Sequence, residues 1–140
     1  MNGRILVCVA AGALTIAAPA MAHHSFAMFD RAREITLAGT VHDVQWTNPH
    51  AWLEVDVPDG KGGAEKWDLE LNSPNNLARQ GWRSNLMKPG DKVTVVLNPL
   101  RSGEHGGLFL QAVLPDGKVY ADRFLTRINA PTGGAATAPK

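Results

Sequence analysis

The chain has 140 residues, a formal net charge of +1, 44% hydrophobic residues and one cysteine. That length is one domain with a targeting segment, the balanced charge lacks the basic excess of a nucleic-acid-binding protein, and a lone cysteine excludes an intrachain disulfide framework. No segment supplies the roughly 18 to 20 consecutive apolar residues of a membrane-spanning helix, so no span is expected in the mature form.

Residues 1–22 read as a secretory signal peptide: Arg4, an apolar run from Ile5 to Ala18, the helix breaker Pro19, and Ala20-Met21-Ala22 as a small-residue cleavage site. The expected destination is the periplasm. Cys8 lies inside this segment behind Ile5-Leu6-Val7, where a lipid-anchor site would need small residues. Cleavage after Ala22 removes Arg4 and no acid, leaving 13 basic and 13 acidic side chains and no thiol. Any metal site in the mature chain must therefore use nitrogen, oxygen or thioether donors.

Residues 23–34 read as an extended arm with apolar residues at Phe26, Met28 and Phe29. From Ile35 to Trp46, Leu37, Gly39 and Val41 alternate, then Val44 and Trp46 continue on the opposite parity, which implies one long strand with a bulge. Asn48-Pro49 marks a turn. Ala51 to Val57 and Glu65 to Leu71 each alternate cleanly about Pro58-Asp59-Gly60-Lys61-Gly62-Gly63 and predict a hairpin. Ser73-Pro74 followed by Gly81 predicts a short helix with a cap, a proline in the first turn and a left-handed exit. Trp82 and Leu86 then turn back toward the core. Further strands follow over Lys92 to Asn98 and Leu108 to Leu114, with a short edge strand around Val119 and Tyr120. Residues 129–140 are Ala, Pro, Thr and Gly rich and predict a disordered tail.

A helix between the third and fourth strands separates this order from a plain meander. It predicts an all-β domain over residues 35–128: a small five- to six-stranded OB-like Greek-key barrel with one short helix between strands three and four. The 118 residues from 23 to 140 can bury roughly 60 to 70 per cent of their unfolded surface, enough for one such core. A small sandwich is the competing fold.

All five histidines follow the expected cut: His23, His24, His42, His50 and His105. In an OB barrel, His50 lies at the loop between strands one and two and His105 in the loop between strands four and five, the two loops that border the usual binding face. An N-terminal histidine binds copper(II) through its amine and ring, and a second imidazole completes a three-nitrogen set of the kind this ion favours. The amine, with an ordinary pKa of about 7.7 to 8.0, loses its proton to a strong metal at modest cost. His23 with His50 or His105 is the candidate site, and His24 offers a competing chelate. From His23 the arm extends up to roughly 40 Å before Ile35 and reaches either end of a small barrel. His42 reads as a solvent-facing strand residue, and Met28 as an apolar filler before a copper(I) ligand. The ordinary explanation of the pair is two polar residues in a mobile arm.

The alternative is a metal-free small-ligand or protein-interaction module, with an exported protein as partner. Trp46 and Trp52 flank Asn48-Pro49-His50, and Trp52 lies on the polar parity of its strand, so Trp46, Asn48 and Trp52 are its candidate contacts. Trp67 and Trp82 read as core. Glu54, Asp56, Asp68 and Glu70 share the outward parity of the hairpin, where a solvated strand face competes with an acidic cation site. No nucleophile elbow, phosphate loop, HExxH or cysteine nucleophile is present, so binding is favoured over catalysis.

Through His23-His24-Ser25-Phe26-Ala27-Met28-Phe29-Asp30, Trp46-Thr47-Asn48-Pro49-His50-Ala51-Trp52-Leu53-Glu54, Trp67-Asp68-Leu69-Glu70 and Lys88-Pro89-Gly90-Asp91, the chain resembles a family of small exported bacterial proteins catalogued as domain of unknown function 6152. The resemblance runs from about His23 to Tyr120. It implies an exported β-barrel domain and no particular activity. The first histidine of the mature chain separately resembles the copper-binding terminus of periplasmic copper carriers and of copper monooxygenases, a likeness that rests on one residue.

Overall fold

Alternating apolar and polar residues, rich in β-branched side chains, form six strands in the computed structural model, which describes residues 26 to 129. The elements are β1 (Ile35–Gln45), β2 (Trp52–Pro58), β3 (Ala64–Glu70), α1 (Pro74–Arg79), β4 (Lys92–Pro99), β5 (Gly106–Val113), β6 (Val119–Ala121) and α2 (Arg123–Asn129). A single 3-10 turn, Phe26–Met28, precedes them. The strand order β3-β2-β1-β4-β5-β6 is closed by a parallel pairing of β3 with β5. Five strands therefore make a barrel, and β6 is added along the second half of β5. With α1 between β3 and β4, this is the OB-like Greek-key barrel the sequence predicts. The expected signal peptide, His23, His24 and the residues from 130 onward lie outside the described residues.

β1 serves both sides of the barrel, pairing with β4 through Ile35 to Thr40 and with β2 through Thr40 to Gln45. The turn of the strand brings β2 so close that a Cβ on Gly39 would lie 2.6 Å from the Asp56 carbonyl oxygen, which is why a residue without a side chain stands there. The expected bulge falls at His42, where the β1–β2 register shifts between Val41 and Asp43.

The inward residues of the strands make the main core. Leu53, Val55, Leu69, Val95, Leu97 and Phe109 are all fully buried, each contributing about 1.5 to 3 kcal/mol relative to exposure. α1 closes one end of the barrel. Its cap is Ser73, whose hydroxyl accepts from the Asn76 amide at 3.3 Å, and Gly81 leaves the helix at φ 91°. Leu77 is buried below it, and Trp82 stands edge-on to Phe109 and Tyr120.

β5 departs from simple alternation, because Leu108, Phe109 and Leu110 are all buried. Its outer face is covered by a second cluster in which Phe29 and Leu125 pack on Leu108 and Leu110, with Phe26 and Ile128 at the margin. The two ends of the described chain thus meet over one strand. Arg31 donates to the Ile128 carbonyl, and its guanidinium lies 5.7 Å from the centre of the Phe26 ring. α2 is an element absent from the sequence reading; Asp122 starts it, accepting from the Phe124 and Leu125 amides at 3.0 and 3.1 Å. The described part of the arm is compact where an extended segment was expected. Phe29 bridges Leu100, the Asp30 amide donates to the Pro99 carbonyl at 2.8 Å, and the Arg101 amide donates to the Met28 carbonyl at 2.9 Å.

Candidate binding cleft

The β2–β3 hairpin builds the first wall. Its register sets Trp52 opposite Glu70, Glu54 opposite Asp68 and Asp56 opposite Lys66, all on the outward parity. Facing carboxylates repel, and Lys66 relieves them: its Nζ lies 3.2 Å from Glu54 and 3.6 Å from Asp68. The hydrogen bond to Glu54, then the charge of Asp68, raise the Lys66 pKa above its ordinary value. At the same end His42 donates through Nδ1 to Asp56 at 2.9 Å, and that bond raises the His42 pKa. The hairpin is therefore charge-compensated around His42 and Lys66, while its Trp52–Glu70 end carries acid beside an aromatic ring.

Two more walls meet that end. Parallel pairing of β3 with β5 sets Asp68 beside Gly106, and the Asp68 amide donates to the His105 carbonyl at 3.2 Å, so the β4–β5 loop comes alongside. Docking of the arm on Pro99 to Arg101 supplies the third wall. Together they enclose a cleft of about 360 Å³, with Met28 and Phe29 from the arm, Trp52, Asp68 and Glu70 from the hairpin, and Leu100, Glu104 and His105 from the loop. Three carboxylates against one imidazole give it a negative field, and Trp52, Phe29 and Leu100 give it apolar surface.

The histidines divide by position. His105 lines the cleft; its ring stacks on Trp67 with centroids 5.0 Å apart, and Nε2 is 3.4 Å from Glu65. Its side chain is 45% exposed. His50 stands behind the wall, half-buried, with Nδ1 3.1 Å from the Leu71 carbonyl and 3.3 Å from Glu70. A carbonyl only accepts, so Nδ1 of His50 carries the hydrogen, and the lone pair a metal would take is on Nε2. Glu70 therefore lies between the two imidazoles, touching His50 and facing the same cleft as His105.

The other candidates separate as well. Trp52 lines the cleft, whereas Trp46 is half-buried against the main core and Asn48 sits in an exposed turn before a cis peptide bond to Pro49. Met28 is in the cleft and 53% exposed. Among the described residues no group of three His, Cys, Asp or Glu side chains is arranged to hold a metal ion. Phe29, Leu100 and Glu104 were missed from sequence as cleft residues, because the Phe29–Leu100 bridge and the hydrogen bonds beside it bring arm and loop together, and no local pattern announces them.

A family model described as a family of unknown function, DUF6152, matches residues 11–111. No curated protein matches the chain. Among solved structures, the mitochondrial single-stranded DNA-binding protein Rim1 of S. cerevisiae is similar in one crystal with a TM-score of 0.46 at 7% identity, covering 59% of this chain and 93% of that one. A selenomethionine-labelled crystal of the same protein gives 0.41 at 10% identity, covering 59% and 92%. Among the described residues, no helix is long and apolar enough to cross a membrane.

Proposed function

The chain belongs to DUF6152, a family of unknown function, and from that premise we propose that it is an exported periplasmic binding module that holds copper(II) as a carrier, buffer or sensor. One observation carries the reading: the arm is hydrogen-bonded along Pro99 to Arg101, so Met28 stands in the same cleft as His105. With the cut after Ala22, His23 is the first residue, and the three residues ahead of Phe26 span up to roughly 10 Å. A segment of that length can reach the cleft with the terminal amine and the His23 ring. The third nitrogen comes from His105, which lines the cleft, or from Nε2 of His50, whose Nδ1 donates to the Leu71 carbonyl. His24 is the alternative chelate. The carboxylates of Asp68, Glu70 and Glu104 favour a dication by charge alone.

Purified mature protein titrated with copper(II) should form a tight one-to-one complex that weakens when one alanine precedes His23 and again in His105→Ala. Equal affinity in the alanine-extended form refutes the terminal chelate.

A second reading has its own observation, the Trp52–Glu70 pair facing into the cleft. An aromatic face beside carboxylates also suits an organic cation or a basic segment of an exported partner. Quenching of Trp52 by such a ligand, with copper leaving the His105 signals unmoved, favours it.

A further inference from the structure

Resting on the second reading above, a cation held at the Trp52–Glu70 end of the cleft, we propose that β3 offers its open edge to an extended basic segment of a partner protein. The segment's main chain pairs with Ala64 and Lys66, and its cationic side chain enters the cleft alongside.

The β3–β5 ladder shows which backbone groups are open. Its first bond runs from the Asp68 amide to the His105 carbonyl at 3.2 Å, so the amide and carbonyl of Asp68 point away from β2. Backbone groups alternate sides along a strand, and those of Lys66 and Ala64 therefore point the same way. β5 begins only at Gly106, and among the described residues no strand pairs with β3 on that side before Asp68. Ala64, Glu65 and Lys66 are all exposed. A free edge of this kind is a template for an added strand.

Charge selects the occupant. Glu65, Asp68, Glu70 and Glu104 stand along this edge and the cleft it leads into, against Lys66 and His105. Lys66 is already held by Glu54 and Asp68, and an edge lysine opposes the pairing of β3 with a second copy of itself. Register then places the side chain. Lys66, Asp68 and Glu70 share one face of β3, so a lysine or arginine set beside Lys66 on that face has Asp68 as its diagonal neighbour, within reach of a long side chain. Trp52, opposite Glu70, offers the cation its ring.

The test titrates chelator-treated, isotope-labelled protein with the capped peptide acetyl-Thr-Lys-Val-Arg-Thr-amide. Exchange of the Lys66 amide should slow by roughly tenfold or more at saturation, and the Trp52 indole and Glu104 amide should shift. The same peptide methylated on its backbone nitrogens should bind roughly tenfold or more weakly. Lys66→Pro, a change that an edge strand tolerates, should weaken the unmethylated peptide likewise while the Leu53 and Leu69 resonances stay in place. Equal binding of the methylated peptide, or unchanged Lys66 exchange at saturation, overturns the edge pairing; a Trp52 response to lysine amide then leaves the cation reading standing. A Trp52 ring that responds to neither peptide nor lysine amide overturns both. Slowed Lys66 exchange that grows with protein concentration in the absence of peptide also overturns the proposal, because it places a second copy on the edge.

Discussion

Replacing Phe29 with alanine removes the side chain that fastens the arm to the barrel. Its ring is 3% exposed and packs on Leu108, Leu110 and Leu125. In a closed core such a change costs about 3 to 5 kcal/mol, part of it for the cavity left behind. Here the arm can swing away instead of holding a cavity, so the loss approaches the transfer contribution of the ring, about 2 to 3 kcal/mol. At 1.4 kcal/mol per factor of ten, the undocked population rises roughly 30- to 140-fold. Native-state hydrogen exchange reads this directly at the Asp30 and Arg101 amides, which donate to Pro99 and Met28. Their protection should fall by that factor while Val95 and Leu97, deep in β4, keep theirs. Unchanged protection at Asp30 and Arg101 would show that Phe29 does not hold the arm. An equal fall throughout β4 would show that the arm and the barrel open as one unit.

Two further outcomes follow from the barrel itself. Gly39→Ala places a methyl group 2.6 Å from the Asp56 carbonyl oxygen and should cost about 1 to 3 kcal/mol in urea unfolding; an unchanged midpoint would mean that β1 does not turn against β2 there. The His42 ring should titrate above the ordinary histidine pKa of about 6.5, and Asp56→Asn should bring it back. Because the folded pKa is the higher one, the pair's contribution is complete below about pH 6.5 and is lost as pH rises through the folded value. A His42 titration indifferent to Asp56→Asn would refute the pairing.

Strand parity made the hairpin, the β1 bulge and the inward core legible, since Leu53, Val55, Leu69, Val95 and Leu97 repeat with the period of a half-buried strand. α1 was legible for a different reason: Ser73, Pro74 and Gly81 each satisfy a backbone requirement at a fixed place. β5 was readable as a strand, but the burial of both its faces was not, because the covers come from the two ends of the described chain. α2 has a weak local signal, Asp122 as cap with Leu125 and Ile128 three residues apart. The cleft shows the same division. Outward parity identifies Trp52 and Glu70 separately, yet only the hairpin register makes them a pair, and the docking of the arm on Pro99 to Arg101 sets Met28 in the same cleft as His105. Contacts across distant segments leave no periodic trace in a single sequence.

The proposed site depends on two events, a cut that frees His23 and the binding of a copper ion at the cleft. Native mass spectrometry of the protein recovered from the periplasm of copper-fed cells measures both at once. The expected species begins at His23 and carries one copper ion, with the metal lost when an alanine is placed before His23. A different first residue, or a chain that begins at His23 and carries no copper, would contradict it.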